Sequence, residues 1–484
     1  MIYQVPQHID KDKIFIIQKS EIDGRLDPKM ALYNKSVQHA LFPMVKLKRL
    51  LLSKPQYGAN EAGIIRDNNE QPRYIRITDI DENGLISPDE LGATVANLDG
   101  KYILNENDIV IARSGATVGK AYIHRHLPYT CVYAGYLIRF VVDSEKILPN
   151  YLFAYTQLSP YKEWVNAIQR PSAQPNINAE EYQSLEIPLP NLSKQQEIVD
   201  YINAAYAQKQ AKEAEALQLL DSIDSYILKE LGITLPNLKA ELNDRVFYVN
   251  YSELSNRLDP YYSLKYFQQS FEAIHLGKYP IVSLKSLTTL ITSGITPKSG
   301  GDAYVDDRLN GIPFIRSGNI NIDGELDFND LLYIRPNIHN TIMKSSQVRK
   351  NDLMIAIVGA TIGQVGIYVF DNEANINQAI ALVRLKDGIN VEYVKELIKS
   401  SIGQLSLNRL KRPVARANIN LEEIATIQVV LPPFEVQQKI ATQIQSIRQQ
   451  AKALQAEGKA ILEDAKRKVE EMILGEELLH VMNI

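Results

Sequence analysis

An internal duplication constrains the fold of this chain more than any other feature of its sequence. The Arg-Leu-Asp-Pro of residues 25–28 recurs at 257–260, and the Gly-Ala-Thr-x-Gly of 115–119 recurs at 359–363. Further matches keep the same order: Tyr74–Arg76 with Phe314–Arg316, Asn107–Ala112 with Asn351–Ala356, Asn176–Asn178 with Asn418–Asn420, and Gln195-Gln196 with Gln437-Gln438. Because the offset stays near 240 residues, the sequence predicts two tandem units in a pseudo-two-fold repeat.

Each unit has the same predicted order of elements. Short apolar runs such as Ile109–Ile111 and Ile380–Arg384 are bounded by Gly, Asn and Asp and predict strands. One long helical segment closes each unit. The predicted fold class is therefore α+β, with two tandem α/β domains separated by two long helices. The predicted boundaries are 1–192 and 233–434 for the globular domains, 193–232 and 435–475 for the helices, and 476–484 for a C-terminal tail.

The first long helix has clear start and stop signals. Ser193 and Gln196 have the spacing of a capping box, and no Pro or Gly follows until Gly232. The second helix should end before Gly475 in the same way. At 1.5 Å per residue, each helix would span roughly 55–60 Å.

Apolar residues follow one stripe of each helix, and in the second helix they alternate at four and three residues, which is typical of a coiled-coil seam. The simplest arrangement is that the two copies pair as an antiparallel coiled coil. The alternative is that each helix packs only on its own domain. The predicted interface residues are Ile198, Ile202, Ala211, Leu220, Ile227, Ile440, Ile444, Ile447, Leu454 and Ile461.

Composition indicates a globular chain with no membrane span: 45% of the residues are hydrophobic, 23% are charged, and no apolar run is long enough to cross a bilayer. The sequence start lacks a secretory signal, and the single cysteine, Cys131, excludes an internal disulfide framework. We therefore expect a cytoplasmic protein. The net charge of −4 counts against nucleic-acid binding, although basic residues cluster locally at 46–49 and 408–416.

Candidate catalytic motifs are incomplete. The segment Gly115–Lys120 has three residues between its glycines rather than the four of a phosphate-binding loop, and Ala121 replaces the Ser or Thr. We expect a tight turn that could dock a DNA phosphate. Leu431–Phe434 resembles the methyltransferase tetrapeptide, but Leu431 cannot accept a hydrogen bond. His124 and His126 lack further ligands nearby, so we predict no catalytic and no metal site.

The ordered motifs resemble those of the specificity subunits of type I restriction-modification systems. The similar strings are the Arg-Leu-Asp-Pro opening, the strand leading to the Gly-x-Thr-x-Gly turn, and Gln174–Ile177 before Ile187–Pro190 and Gln195. The second copy departs from this pattern, because Arg416 stands where Gln174 does and Val429-Val430 replace Ile187-Pro188. The resemblance covers nearly the whole chain.

This resemblance implies that each globular domain is a target recognition domain reading half of a bipartite DNA site, and that the helices are conserved spacers. It implies double-stranded DNA, two methyltransferase subunits and restriction subunits as partners, and no membrane. The chain itself would hold no cofactor, since S-adenosylmethionine, ATP and Mg²⁺ would bind the partner subunits. Two half-sites on one face of the duplex would lie roughly 34–36 Å apart.

Base and phosphate contacts need basic, amide or hydroxyl side chains. The residues predicted to contact DNA are Arg113, Thr117, Lys120, Arg170, Gln174, Thr361, Arg409, Lys411, Arg412 and Arg416. Sequence-specific residues should lie where the copies differ most, at 53–71 and 293–309, so the DNA site should be asymmetric. Two alternatives stay open: a coiled-coil adaptor that does not bind DNA, and a self-contained restriction or methylation enzyme.

Overall fold

The structure is a computed structural model that describes residues 28–37, 40–87, 90–169, 175–236, 248, 260–298, 301–306, 309–411 and 418–475. The chain forms two compact units. One combines the residues up to Glu213 with those from Gln455 onwards, and the other runs from Ala214 to Leu454. Each of the two longest helices therefore contributes one part to each compact unit.

Within its described residues, the first copy has ten strands and four short helices before its long helix α5, Leu192–Leu231. The strands are β1 Met44–Lys46, β2 Gln56–Tyr57, β3 Ile64–Ile65, β4 Arg73–Ile75, β5 Ala93–Thr94, β6 Ile109–Ala112, β7 Ala121–Ile123, β8 Cys131–Tyr133, β9 Leu137–Phe140 and β10 Glu186–Pro188. The short helices are α1 Pro28–Ser36, α2 Pro149–Tyr155, α3 Ser159–Ile168 and α4 Ala179–Gln183. Turns of 3-10 helix lie at Leu47–Arg49, Ile77–Asp79 and Gly100–Tyr102.

The second copy repeats this order with additional strands and ends in the long helix α11, Phe434–Leu474. Its strands are β11 Ile281–Ser283, β12 Thr288–Ser293, β13 Tyr304–Val305, β14 Ile312–Ile315, β15 Leu332–Ile334, β16 Gln347–Val348, β17 Leu353–Ala356, β18 Val365–Ile367, β19 Ala374–Ile376, β20 Ile380–Leu385 and β21 Gln428–Val430. Its short helices are α6 Lys265–His275, α7 Pro336–Asn340, α8 Val391–Lys399, α9 Ser401–Leu410 and α10 Leu421–Ala425. Turns of 3-10 helix lie at Pro260–Ser263, Leu284–Leu287, Ser317–Asn319, Lys344–Ser346 and Gly359–Thr361.

The sheets confirm that the two copies share one mixed α/β fold. A four-stranded sheet has the order β2-β9-β6-β7 in the first copy and β12-β20-β17-β18 in the second. The parallel pair of β4 and β8 corresponds to that of β14 and β19. The antiparallel pair of β1 and β10 corresponds to that of β11 and β21. The second copy extends its parallel pair to five strands, in the order β13-β15-β14-β19-β16.

One of the two central strands of each four-stranded sheet is buried along its whole length. Strands β6 and β17 consist only of apolar residues, as expected for strands covered on both faces. An asparagine with positive φ precedes each strand, Asn107 at 71° and Asn351 at 70°. The following carboxylate, Asp108 or Asp352, accepts from a backbone N–H three residues earlier, at 2.9 and 2.7 Å. The repeated Asn-Asp pair therefore forms the tight turn that starts the strand.

Buried glutamines fix the start of each long helix. The side chain of Gln195 accepts from the backbone N–H of Leu148 at 2.8 Å and donates to the carbonyl of Pro190 at 2.9 Å. Gln437 makes the matching bonds in the second copy, to Asn390 and Pro432. Ser193 is not the cap: helix α5 begins at Leu192, and the Asn191 side chain accepts from the N–H of Lys194 at 2.9 Å.

In the first compact unit, the first part of α5 packs with the last part of α11. Both contribute to one buried apolar cluster, α5 through Ile198 to Ala205 and α11 through Leu462 to Leu474. Lys212 forms an ion pair with Glu457 at 3.0 Å. A side chain at Gly458 would lie 3.3 Å from the carbonyl oxygen of Lys209, so the two helix backbones approach closely there.

In the second compact unit, the last part of α5 packs with the first part of α11. Ile223, Ile227 and Leu231 lie in one buried cluster with residues of α11 between Ile440 and Ile447. Lys439 and Glu230 form an ion pair across the two helices at 2.9 Å. Within each unit, the beginning of one long helix therefore packs against the end of the other.

Most of the predicted interface residues lie on these packed faces. Six of them are buried: Ile198, Ile202, Ile227, Ile440, Ile444 and Ile447. Three more are half-buried: Leu220, Leu454 and Ile461. Ala211 is exposed, and the prediction placed it wrongly on the packed face. The reason is that the four-and-three spacing from Ile198 continues through Lys209, Lys212 and the buried Ala216, one position away from Ala211.

Each long helix caps a short helix of the other copy with a carboxylate side chain. Glu470 of α11 accepts from the backbone N–H of Ser159, the first residue of α3, at 2.6 Å. Asp224 of α5 accepts from the N–H of Ser401, the first residue of α9, at 2.7 Å. A carboxylate at a helix N-terminus satisfies an otherwise unpaired N–H and interacts favourably with the helix dipole. We call these two contacts the exchanged caps.

No helix in the described part of the chain has the length and apolar character that crossing a membrane requires.

Candidate nucleic-acid interface

The repeated glycine turns lie at the end of the buried central strands. Gly115 and Gly119 have φ values of 81° and 88°, and Gly359 and Gly363 have 78° and 96°. These left-handed values confirm the predicted tight turns, which glycine adopts without strain. Ile177 and Ile419 donate backbone hydrogen bonds to the strands just before the turns, at 2.8 and 3.0 Å. The described segments that begin at 175 and at 418 therefore adjoin the same turn in both copies.

The structure gives several predicted DNA-binding residues partners within the protein. The Lys120 ammonium donates to the carbonyl of Ile80, and Lys411 donates to Asn408 at 2.9 Å. Arg409 donates to the carbonyl of Tyr262 at 2.9 Å, and its guanidinium lies 4.1 Å from the centre of the Tyr262 ring. These contacts give the three cations structural roles that the sequence did not indicate.

The remaining predicted residues have different surroundings. Thr117 is exposed on the first turn, whereas the hydroxyl of Thr361 donates to the carbonyl of Val358 at 3.3 Å. Arg113 lies beside the first turn and is half-buried. The other four predicted contacts lie outside the described residues: Arg170, Gln174, Arg412 and Arg416.

A cleft opens beside the first glycine turn, with a volume of about 480 Å³. We call it the Arg113 cleft. Two tyrosines, one arginine and several small polar residues line it: Tyr57, Gly58, Asn60, Arg113, Ser114, Gly135, Tyr136 and Asn176. None of these described lining residues is acidic. Aromatic rings together with amide and guanidinium groups are the side chains that contact bases and stack on them.

Strand pairing brings these separate sequence segments together. Tyr57 ends β2 and pairs with β9, while Ser114 forms a β-bridge with Asn176. The N–H of Arg113 donates to the carbonyl of Tyr136 at 2.9 Å. The predicted specificity region 53–71 contains Tyr57 and Asn60. The sequence did not indicate Tyr136 or Asn176 as DNA contacts, because only the strand pairing shows that these residues adjoin Arg113. For Asn176, the sequence signal was its recurrence as Asn418.

The second copy has the same backbone arrangement with different side chains. Val358 and Asn418 form the β-bridge that corresponds to Ser114 and Asn176. A Cβ at Gly58 would overlap the carbonyl oxygen of Ala134, and one at Gly294 would overlap that of Ile376, so both copies require glycine there. The registers align Tyr57 with Ser293, Asn60 with Thr296, Arg113 with Ile357, Gly135 with Gln378 and Tyr136 with Ala379.

The two histidines of the first copy lie in different surroundings. His124 is buried, and its Nδ1 lies 2.9 Å from the hydroxyl oxygen of Tyr122. His126 is exposed. Within the described ranges, no group of three or more His, Cys, Asp or Glu side chains has the geometry of a metal site. Burial, together with the nearby His126, lowers the pKa of His124 to about 4.

We expect the lowered pKa of His124 to make stability depend on pH. The unfolded chain takes up this proton near the ordinary histidine pKa, whereas the folded chain does not until about pH 4, so the free energy of unfolding should fall as the pH drops from about 6.5 towards 4. Urea unfolding at about pH 7 and about pH 5 measures this change. In the His124→Gln variant, the free energy of unfolding should depend clearly less on pH than in the wild type. In the His126→Gln variant, this pH dependence should be largely unchanged. Equal pH dependence in wild type and His124→Gln would contradict the assignment.

One scaffold therefore occurs twice in the chain, with different side chains at the position of the Arg113 cleft. Residues 61–221 and 277–463 match the family described as the type I restriction modification DNA specificity domain. The chain belongs to this family, whose matched regions fall once in each copy.

Relatives support the same family. The specificity subunit of the type I restriction enzyme EcoBI from Escherichia coli is 27% identical over 299 residues, which cover 62% of this chain and 59% of that protein. The match thus spans less than two thirds of the EcoBI subunit. The EcoKI specificity subunit from E. coli strain K12 is 20% identical over 355 residues, covering 71% and 68% of the two chains. Specificity subunits are the non-catalytic subunits of type I restriction enzymes, and this chain is of that non-catalytic kind.

The solved structures that match this chain include the HsdS subunit from Thermoanaerobacter tengcongensis. Its sequence is 15% identical to this chain, the match covers 89% of this chain and 96% of the HsdS chain, and the TM-score is 0.35. A chain from a study of assembly and conformational transition of a type I restriction-modification system is 16% identical. It covers 89% of this chain and 95% of its own, with a TM-score of 0.49.

Proposed function

We propose that the chain recognises an asymmetric bipartite DNA site and that each copy reads one half of it. One observation carries this proposal. The same sheet register, glycine turn and β-bridge recur in both copies, yet the side chains at the cleft position differ. Two readers with one backbone and different contact surfaces would recognise two different half-sequences.

The second copy presents its own polar group at the corresponding place. Gln378 is exposed, and Thr296 donates a hydrogen bond to its side-chain oxygen. In the first copy these positions hold Gly135 and Asn60. Glutamine amides suit adenine, because they donate to N7 and accept from N6. The contrast between the copies supports an asymmetric site.

The long helices would serve as an antiparallel coiled coil that sets the number of unread bases between the half-sites. The ion pairs Lys212–Glu457 and Lys439–Glu230, one in each compact unit, support this arrangement. Two methyltransferase subunits and the restriction subunits would dock on the chain, and S-adenosylmethionine, ATP and Mg²⁺ would bind those subunits. The complex would act on DNA in the cytoplasm.

Selection from random DNA tests the proposed function. The chain is co-expressed with methyltransferase subunits of its own system, and the purified complex selects ligands from a library of randomised duplexes. We expect enrichment of two different short sequences separated by a fixed unread gap. A complex that enriches no sequence would instead support a protein adaptor. Methylation by the purified chain alone would support a self-contained enzyme.

Shortening both helices together should shorten the unread gap. Residues 210–216 and 453–459 lie around the Lys212–Glu457 pair, and deleting both stretches removes one heptad from each helix while keeping the seam in phase. At 1.5 Å per residue this is roughly 10 Å, so we expect a gap shorter by about two to three base pairs with both half-sequences unchanged. The same DNA selection measures the gap.

A single deletion is the control for this experiment. Removing residues 210–216 alone shifts one helix past the other, so folding or DNA binding should be lost. If the double deletion altered either half-sequence instead of the gap, the helices would not determine the spacing.

A further inference from the structure

We propose that Arg113 makes a guanine-specific contact in the half-site read by the first copy, with no equivalent arginine contact in the second. This inference rests on the proposed function and names the base that the Arg113 cleft takes. The ligand would be the major-groove edge of a guanine, where O6 and N7 accept the two parallel hydrogen bonds of a guanidinium.

The guanidinium of Arg113 contacts a tyrosine ring but has no hydrogen-bond acceptor among the described residues. It lies 4.8 Å from the centre of the Tyr57 ring, within the distance of a cation–π interaction, and both residues line the cleft. Its Nε is buried and has no hydrogen-bond partner among the described residues, and no ion pair of Arg113 occurs there either. Its terminal nitrogens are therefore available to a ligand.

Three other arginines near the sheets already have partners among the described residues. Arg139 donates to the carbonyl of Ile103 at 2.8 Å, and Arg384 pairs with Asp352 at 2.6 Å. Arg409 donates to a carbonyl and stacks on two aromatic rings. An arginine beside an open cleft that has neither a carboxylate nor a carbonyl partner is suited to an external acceptor.

The Arg113 cleft suits a base edge. Its lining adds the amide of Asn60 and the hydroxyl of Ser114, which are neutral donors and acceptors and do not recur in the second copy. Tyr136 is 62% exposed at the rim, where its ring is accessible for apolar contact. A planar guanidinium held on a tyrosine keeps its two terminal N–H groups in one plane, which matches the paired acceptors of guanine.

Comparison of the copies favours a base over a phosphate as the ligand of Arg113. Both copies would meet the same DNA backbone, so residues that bind phosphate should recur, whereas residues that read bases should differ. The turn glycines, Thr117 with Thr361, and Asn176 with Asn418 recur. Arg113 does not recur: the corresponding residue of the second copy is Ile357, which is apolar and buried. Arg113 thus belongs to the residues that differ between the readers.

The test is DNA selection with Arg113→Ala in the complex with methyltransferase subunits. We expect the variant to lose its preference for guanine at one position of one half-site, by roughly 5- to 150-fold in relative affinity, the usual effect of one bidentate base contact. The other half-site and the gap should not change. Arg113→Lys, which keeps the charge without the planar fork, should retain only part of the preference.

Arg49→Ala is the matched control, because it removes an exposed arginine from the same copy outside the cleft. Its selected motif should equal that of the wild type, and thermal unfolding should show that both variants fold. A uniform loss of affinity in Arg113→Ala over all sequences, with a salt dependence weaker by about one ion, would assign Arg113 to a phosphate and overturn the proposal. An unchanged motif would also overturn it. If the wild type selects no bipartite motif, the proposed function itself fails.

Discussion

Replacing Arg448 with methionine should destabilise the second compact unit by about 3 kcal/mol, because it leaves a buried carboxylate without its main partner. Arg448 of α11 pairs with Glu396 of α8 at 2.8 Å, and only 4% of the Glu396 side chain is exposed. Although burial opposes ionisation of Glu396, its bond and charge interaction with Arg448 give it a pKa below the ordinary glutamate value. Lys395, 3.3 Å from Glu396, compensates in part, so we expect the lower end of the range for broken buried pairs.

The double variant Glu396→Ala with Arg448→Met controls for this effect. The first copy has Ala154 and Tyr206 at the corresponding positions and needs no ion pair there. Removing both charges should therefore recover most of the stability that the single change loses. Urea unfolding of the full chain measures all of these variants. If the double variant were as unstable as Arg448→Met, the loss would come from packing and not from the unpaired charge.

Replacing Gly294 with alanine should have a similarly large effect, at least about 3 kcal/mol, the top of the usual range for overpacked cores. The added Cβ would overlap the carbonyl oxygen of Ile376 and approach that of Asn377 to 2.9 Å. Both oxygens belong to the backbone beside the end of β19, so neither can rotate away as a side chain would. In the complex with methyltransferase subunits, the variant should lose selection for the half-site read by the second copy.

Gly318→Ala is the matched control, because it also lies in the second copy but has no atom within 4 Å of its added Cβ. Its unfolding curve should resemble that of the wild type. Gly58→Ala should produce the corresponding loss in the first copy, where the Cβ would overlap the carbonyl oxygen of Ala134. Thermal unfolding with melting temperatures for each variant checks the series. A stable Gly294→Ala variant would show that strand β12 can move away from β19.

The fold was largely predictable from the sequence because its signals are local or repeated. A few neighbouring residues are enough to predict the apolar strands β6 and β17 and the glycine turns that follow them. The same is true of the ends of the two long helices at Gly232 and Gly475. The site was harder to predict, because its residues come from strands and loops distant in sequence. A basic side chain in a turn also does not show from sequence alone whether it is already paired, as Lys120 and Arg409 are.

The exchanged caps have a consequence for how the chain matures during synthesis. The first globular domain can pack against the beginning of α5 as soon as both have been synthesised. The hydrogen bond from Ser159 to Glu470, and the packing of residues 462–474 on the cluster around Ile198, can form only later. Residues 462–474 are synthesised only after the whole second globular domain. The first compact unit therefore completes its core only after synthesis of the last long helix, and a nascent chain stalled before it would expose the apolar stripe of α5 to chaperones.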